Sequence, residues 1–490
     1  MAGMVGISGC SETKIDSNKV ESMLETVKHR GTSEPIIKTT TSAAFGCVGF
    51  SPEVISQDSH PYVIMDGMLY RDDSRQEMSD TDYLRKQYLS HGIEALSKVR
   101  GSFSCAIIDE DECIIARDHV GSRPLIYQET LQGGMMFASE AKALKDYTDC
   151  VEELPPGHYY STKEKLKQFN EPSPGFKLPH KWDTSKESLN KVREVVIQAV
   201  EDIVTNIEGI GGVSLSGGLD SSIILAIAYQ YNKNIQAFTS TLKANPGEDL
   251  KYGKLMADYL GVKLHVYEIT LEDIQNIVSK AVYYLESFDQ DCITGFIANY
   301  YNSRLAKEHV DSILVGEGAD ELFGGYFREL DDISDPEEQE RVAKKLVDVA
   351  YNTALRRLDR GWMTNSVDYY APFLNPSVVT MSHDIPLDLK VYKPNGKPIE
   401  KWILREAFKD MLPPEITWRP KLRFARGVGV DDQLEKCIPD NLDEEALEKT
   451  PRSKKGITFQ SPTELYLYRI FQKHFPSDYE GLTCRWDPFS

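Results

Sequence analysis

Val213-Ser214-Leu215-Ser216-Gly217-Gly218-Leu219-Asp220-Ser221-Ser222 sets a glycine bend between an apolar strand and an apolar helix. Gly217 and Gly218 let the backbone approach a ligand with no side chain between, while Ser216, Ser221, Ser222 and the first amides of the next helix offer donors to a phosphate. Asp220 adds a carboxylate suited to a divalent cation. Ser-Gly-Gly alone is an ordinary turn, but its flanks make it more. Ile210-Gly211-Gly212-Val213-Ser214-Leu215 is short and apolar enough for a buried parallel strand, and Ile223-Ile224-Leu225-Ala226-Ile227-Ala228 continues as a helix. A strand, a glycine turn and a helix N-terminus form the setting a phosphate site needs. No Gly-Lys-Ser/Thr follows, so the Walker pattern is absent.

Outward from this stretch the pattern alternates. Residues 189–205 read as a helix leading into the strand, 235–241 as a second strand, 251–260 as a helix, and 262–267 and 312–315 as further strands. That alternation predicts an α/β doubly wound parallel sheet with its ligand at the carboxyl ends of the strands. Beyond residue 331 the chain reads as mostly helical, and the acidic run 331–338 as a solvated loop. Ahead of residue 165, strands at 4–7, 44–48, 62–65, 104–108, 113–116 and 134–138 mix with helices at 19–29, 82–89 and 140–145, which predicts an α+β layered domain. Between the two lies a polar, proline-rich linker, Asn170-Glu171-Pro172-Ser173-Pro174-Gly175 and on to His180. The expected domains are residues 1–170 and 186–490.

A chain of 490 residues has room for two or three cores, at roughly 150 residues each. Lys+Arg 56 against Asp+Glu 76 gives a net charge of -20, the wrong sign for a general nucleic-acid binder. No apolar run reaches the roughly 18 residues of a membrane span, and no basic-then-apolar leader opens the sequence, so a cytoplasmic protein without a membrane partner is expected. Cys10, Cys47, Cys105, Cys113, Cys150, Cys292, Cys437 and Cys484 are scattered with no C-x-x-C pair. They suit buried thiols in a reducing compartment better than disulfides or a zinc site.

A second glycine loop, Val315-Gly316-Glu317-Gly318-Ala319-Asp320-Glu321-Leu322-Phe323-Gly324-Gly325-Tyr326, follows a strand and again sets bare backbone beside acidic groups. The first loop, S-G-G-L-D-S-S, resembles the pyrophosphate-binding loop of the ATP pyrophosphatases. With G-E-G-A-D-E-L-F-G-G-Y after it, the chain resembles the glutamine-hydrolysing asparagine synthetases. The likeness runs through residues 117–125, 138–144, 395–405, Trp418-Arg419-Pro420-Lys421 and 461–469, so it covers nearly the whole chain. It implies an amidotransferase-like, N-terminal-nucleophile fold for residues 1–170, and an ATP pyrophosphatase domain with a helical C-terminal part for residues 186–490.

The resemblance also implies ATP and Mg2+, a small carboxylate and an amine. ATP is cut between its α and β phosphates as the carboxylate is adenylated, and the amine then displaces AMP. Leu215, Ser216, Gly217, Gly218, Leu219, Asp220, Ser221, Ser222 and Gly316 would bind the nucleotide. Asp220 and Asp320 would hold the metal, since a hard divalent ion needs few carboxylates beside phosphate oxygens and water. Lys421 and Lys401 would offset the charge that builds on the transferring phosphates. Glu317 would take the proton of the attacking amine; the related β-lactam synthetases carry a tyrosine there. Asp368 stands where the family has a glutamate, one methylene longer, and Tyr370 replaces an expected arginine. A homodimer is compatible with the likeness.

The pattern also breaks. Family members that use glutamine begin Met-Cys-Gly, whereas this sequence reads Met1-Ala2-Gly3, and alanine cannot be a nucleophile. The family's N-G-E is Asp66-Gly67-Met68, and no arginine stands near Cys47-Val48-Gly49, although Asp80 is kept. These departures predict a dismantled glutaminase retained as a scaffold. In the second domain, T-T-x-R becomes Asp291-Cys292-Ile293-Thr294, and Q-F-S-D-G-V-G becomes Arg423-Phe424-Ala425-Arg426-Gly427-Val428-Gly429. An acyl substrate or amine other than aspartate and ammonia is therefore expected. Three readings stay open: ammonia as the amine, a larger or intramolecular amine, and a nucleotide-binding regulatory relative without catalysis. The net acidity weighs against tRNA modification.

Overall fold

The computed structural model describes residues 2–9, 16–56, 60–70, 78–131, 133–169, 181–207, 209–326, 333, 335–421, 428–439, 442–483 and 485. The expected linker at 170–180 lies outside them. So do Arg423, Phe424, Ala425, Arg426 and Gly427.

The first part is built on two antiparallel sheets. One runs β2 (Ile36–Thr39), β3 (Ala43–Gly49), β1 (Ala2–Ser8), β8 (Met135–Ala138), β7 (Ile126–Glu129), β9 (Glu152–Glu153). The other runs β11 (Lys165–Gln168), β10 (His158–Ser161), β6 (Cys113–Arg117), β5 (Gly101–Ile108), β4 (Tyr62–Leu69). Because successive strand residues point to opposite faces, Ala2 and Met4 of β1 enter a core with Ile64, Ala106 and Ile115 of the second sheet. Val5 turns outward against Val20 and Leu24 of α1 (Ser17–Thr26). Leu84 of α2 (Asp80–His91) covers the far face of the second sheet. The result is helix, sheet, sheet, helix.

The helix expected at 140–145 is a single 3-10 turn, Ala141–Ala143. Glu140 and Lys142 are fully buried in a charged cluster with Glu286, and those pairings override helix propensity. Strand β11 escapes the hydrophobic pattern because every residue in it is exposed.

The second part holds a five-stranded sheet whose pairings are all parallel: β14 (Leu264–Ile269), β13 (Gln236–Leu242), β12 (Ile210–Ser214), β15 (Ser312–Leu314), β16 (Asp368–Tyr370). The chain starts at the centre with β12, moves outward to β14, then returns to the other side of β12. That reversal between β12 and β15 opens the crevice where ligands of such sheets bind, at the carboxyl ends of the strands. Helices α3 (Lys186–Asn206), α4 (Leu219–Tyr231), α5 (Glu248–Leu260), α6 (Leu271–Leu285), α7 (Gln290–Lys307) and α8 (Ala319–Phe323) connect and flank the strands. β16 is unexpected: three residues just ahead of Ala371 and Pro372 are too few to show a strand pattern. The acidic run is also corrected, since Pro336, Glu337 and Glu338 open a helix, Pro336–Asp348, with Asp335 as its cap. Among the described residues no helix is long and apolar enough to cross a membrane.

The two parts are joined by buried charge. Arg30 is fully buried. It donates to Glu140 (2.9 Å), to Asp66 (2.8 Å) and through both terminal nitrogens to Asp359 (2.7 and 2.9 Å). Asp359 and Arg360 lie on the buried helix Ala354–Met363, and Arg360 extends the network to Glu286 at 3.0 Å. Arg123 stacks on Tyr369 of β16 at 3.9 Å and donates to its carbonyl at 2.7 Å. Burial opposes the charge on Arg30, yet Asp359 and Asp66 hold its pKa well above the ordinary value.

One lysine works the other way. Burial lowers Lys390 from 10.5 to about 8, so below pH 8 the folded state carries a charge it holds poorly. Between pH 8 and 10.5 the unfolded chain binds the extra proton, and stability therefore rises with pH. Lys390→Met should be more stable than the wild type at pH 7 by up to about 3 kcal/mol, with the gain vanishing near pH 10.5. Urea midpoints of both proteins at pH 7 and pH 10 check this, and an equal gap at both pH values would contradict it.

Candidate active site

Two loops meet in the crevice. After β12, Leu215 donates its amide to Phe238 (2.8 Å), and the chain then bends at Gly217, which has φ +71. A Cβ there would lie 2.3 Å from the Gly253 amide nitrogen, so only glycine fits. Gly218 caps α4 with no side-chain hydrogen bond, which leaves the first amides of that helix facing the crevice without a side-chain partner. Ser216 and Ser221 hydroxyls lie 3.1 Å apart and brace the loop, with the Gly218 amide donating to Ser216 at 3.3 Å. Ser222 is fully buried, so the donor expected of it is withdrawn beneath the loop.

After β15, Val315 donates to the Tyr370 carbonyl at 2.9 Å, and Gly316 follows. A Cβ on Gly316 would sit 2.8 Å from the Ser221 nitrogen, so the two loops run backbone against backbone. This contact sets Asp220, in the first turn of α4, beside Asp320, in the first turn of α8. The Lys401 ammonium joins them, 2.5 Å from Asp220 Oδ2 and 2.6 Å from Asp320 Oδ1. Lys401 reaches in from a left-handed backbone position, φ +54, where a non-glycine residue is strained by about 1–3 kcal/mol. A Cβ on Gly325 would fall 1.9 Å from Asp320 Oδ1 and 2.6 Å from Lys401 Cε, so that glycine clears the space for the pair.

Lys421 pairs with the other oxygen of Asp320. Glu400 positions it by accepting from the Lys421 amide (2.8 Å) and from Arg405 (3.0 Å). Arg419 ties the same segment to the first loop, donating to the Gly217 carbonyl at 3.1 Å and to Asp249 at 2.6 Å while stacking over Tyr252. A cavity of about 50 Å³ lies among these groups, lined by Ser216, Gly218, Asp220, Lys401, Arg419 and Lys421. A larger cavity of about 210 Å³, lined by Tyr70, Arg100 and Asp202, touches neither loop.

Burial pushes the Asp320 carboxyl up, but Lys401 and Lys421 outweigh it and hold the group well below the usual range. Burial likewise opposes the charge of Lys421, while Asp320 and then Asp220 raise its pKa. Glu317 is raised by burial against the pull of Arg357 and Lys421, the direction a proton acceptor near neutrality needs. Burial together with Glu317 and Asp320 pushes Glu321 up to about 7, and Tyr326 donates to it at 3.2 Å.

A divalent cation fits this donor set. Asp220 Oδ1 is buried without a hydrogen-bond partner, and two carboxylates already share one cationic group. Among the described residues no three His, Cys, Asp or Glu side chains cluster for a metal.

The structure thus brings together Gly217, Gly218, Asp220, Gly316, Asp320, Lys401 and Lys421, with Glu317 at the rim. Asp368 is the exception. It opens β16 opposite Ser312, and Tyr370 at the carboxyl end of that strand is the residue level with the loop. Asp368 is therefore set back by two residues, about 7 Å of strand, and it accepts from the Tyr370 hydroxyl at 2.8 Å. The catalytic role expected of it is not supported by this placement. Asp291, Cys292, Ile293 and Thr294 follow Gln290 at the start of α7, which Asp289 caps. Asp249 and Arg357 were missed: Asp249 sits in no motif, and Arg357 comes from a buried helix.

The asparagine synthase family model matches residues 191–354 and 334–467, and the glutamine amidotransferase domain model matches residues 4–168. Asparagine synthetase (glutamine-hydrolyzing) 2 of Arabidopsis thaliana is 30% identical over 440 residues, covering 84% of this chain and 73% of that protein. The nodule asparagine synthetase (glutamine-hydrolyzing) of Pisum sativum is 27% identical over 533 residues, covering 100% and 89%. A solved allosteric regulatory enzyme of purine biosynthesis aligns at TM-score 0.27 and 19% identity, covering 48% of this chain and 64% of that one, too low to bear on the fold. With a family model spanning more than half of its length and relatives alike along most of it, this chain belongs to the asparagine synthase family.

Proposed function

We propose that this protein is an ATP-dependent carbon–nitrogen ligase that adenylates a carboxylate, releases pyrophosphate, and passes the acyl group to an amine. A carboxylate oxygen of the acid attacks the α-phosphorus of ATP, and the bond from that phosphorus to the bridging oxygen breaks. Nitrogen of the amine then attacks the acyl carbon, the bond to the phosphate oxygen breaks, and AMP leaves. The observation that carries this reading is the joining of Asp220 and Asp320 on Lys401, with Lys421 beside them, where two glycine loops meet at the switch point of a parallel sheet.

Each residue has a task in this reading. The bare amides at the start of α4 and the turn at Gly217 hold the phosphates. Asp220 and Asp320 would hold magnesium, which when bound neutralises phosphate charge and polarises the phosphorus centre. Lys421 offsets the negative charge that gathers on the departing oxygens. Glu317 accepts the proton that the amine nitrogen sheds.

The amine is not supplied by glutamine in this proposal, although the relatives are named as glutamine-hydrolysing. Ala2 offers no nucleophile, and its amide donates to Asp66 Oδ1 at 2.8 Å. Asp66, where the family carries an asparagine, is fully buried and bound to Arg30, so its carboxylate is spent on an ion pair.

The test is pyrophosphate exchange into ATP across amino acids and small diacids, followed by AMP assays with ammonium, other amines or glutamine as nitrogen source. Exchange should need both an acid and magnesium, and glutamine should yield no glutamate. A chain that exchanges pyrophosphate with no acid would sink the ligase reading, and glutamate release would overturn the inactive-glutaminase reading.

A further inference from the structure

A cleft of about 210 Å³ opens between the two halves, with one wall from each. The first half supplies the end of β4 and the residues just ahead of β5, where the Tyr70 amide donates to the Arg100 carbonyl at 2.8 Å. The second half supplies one face of α3, on which Val195, Gln198, Ala199 and Asp202 follow at helical spacing. The cleft is far larger than the roughly 10–15 Å³ that one water needs, and smaller than the roughly 300 Å³ at which drug-sized sites begin. It has room for a small molecule. Ala2, Asp66 and Asp80 do not line it, so it lies apart from the altered glutaminase positions.

Its charges are sorted by wall. Arg100 stands on the first half and Asp202 on α3. Arg100 donates to the Ser377 hydroxyl of helix Pro376–Asp384, which fixes its guanidinium, yet its Nε is buried without a hydrogen-bond partner. Asp202 accepts from Gln198 at 2.9 Å. Among the described residues no ion pair joins Arg100 to Asp202, although each feels the other's charge. Burial lowers the pKa of Arg100 and raises that of Asp202. Both charges are thus held at a cost that the neutral partners, Ser377 and Gln198, offset in part. Lys191 and Glu194 pair with each other at 3.3 Å, and Lys98 is exposed. Between the walls Leu69, Val99, Val195 and Ala199 are buried and give the cleft an apolar floor.

A cation and an anion that face each other over an apolar floor suit a ligand carrying both charges at one end and an apolar group at the other. A carboxylate alone would leave Asp202 unanswered, and an amine alone would leave Arg100 so. We infer that this cleft binds a free α-amino acid with an apolar side chain, its carboxylate on Arg100, its ammonium on Asp202 and its side chain on Leu69, Val99 and Ala199. This does not depend on the ligase reading. The bound molecule bridges the two halves, a removable link beside the permanent one at Arg30.

The experiment titrates the full chain, without ATP, with leucine, 4-methylpentanoate and 3-methylbutylamine by calorimetry. The last two are leucine without its amino group and leucine without its carboxylate. Leucine should saturate one site and raise the thermal midpoint. Removing either charged group should weaken binding about 10- to 100-fold, the worth of a charged hydrogen bond. Asp202→Asn should weaken leucine by a similar factor without weakening 4-methylpentanoate, and Arg100→Gln should weaken leucine without weakening 3-methylbutylamine. Asp202→Asn keeps the shape of the side chain, so it decides the matter even where Arg100→Gln folds poorly. Lys421→Ala, altered in the crevice, should bind leucine as the wild type does. No binding of leucine at millimolar concentration, equal affinity for leucine and 4-methylpentanoate, or loss of leucine binding in Lys421→Ala overturns the inference.

Discussion

Replacing Lys421 with alanine should reduce AMP formation about 10²–10³-fold, the range seen when one preorganised donor to a developing charge is removed, with little change in stability. The asymmetry follows from the pairing. Lys421 is about a quarter exposed, at 27%, and its partner Asp320 keeps a second cation, Lys401, which is buried at 2%. Loss of Lys421 therefore strands no buried carboxylate, while the crevice loses the cation nearest its opening. Single-turnover measurement of AMP from ATP and a saturating acid checks the rate, and a urea titration checks the fold. Undiminished turnover would remove Lys421 from the catalytic set.

The largest effect on stability should come from Arg30→Met. Breaking a fully buried ion cluster from one side leaves the other side charged and unpaired, which typically costs about 3–5 kcal/mol. Here Asp66, Asp359 and Glu140 would all lose a partner. Asp359 and Glu140 keep Arg360 nearby, so Asp66 should suffer most. The double variant Arg30→Met, Asp66→Leu should therefore recover much of what the single variant loses. Urea midpoints of the wild type, both single variants and the double variant give the coupling directly. Additive losses would show that the cluster is not a cooperative unit.

The sequence revealed the glycine loops because their signal is local. Gly316 is required by contact between the two loops and Gly325 by Asp320 five residues before it, while Gly217 clears Gly253 and Gly318 clears Leu374; what was legible is that strand, glycine turn and helix follow one another along the chain. Asp220 and Asp320 were legible for the same reason. Asp368 was misplaced because a resemblance carries a residue's number but not its height on a strand. One charged position looked equivalent to the family's glutamate, and the pairing of Asp368 with Ser312 put it at the far end of β16. Arg357 and Arg30 left no trace in the pattern. Each acts far along the chain, Arg30 at a separation of 329 from Asp359 and Arg357 at 40 from Glu317. A buried arginine reads in sequence as a surface charge, since lone arginines are mostly exposed. The 3-10 turn at Ala141–Ala143 was missed for the same cause, with tertiary charge pairs overriding a run of good helix formers.

The cluster around Arg30 also bears on how such a chain can evolve. Its acids and bases come from both halves, with Arg30, Asp66, Glu140 and Lys142 from one, and Glu286, Asp359 and Arg360 from the other. Deleting either half at the gene level would break the pairs that cross between them, Arg30–Asp359, Lys142–Glu286 and Arg360–Glu140, and open to water the apolar side chains the two halves bury together. Chemistry can drift away from the first 170 residues one substitution at a time, but the residues themselves cannot be shed in one step. Selection for folding alone is enough to keep them, and their persistence is no sign of a reaction still being run there.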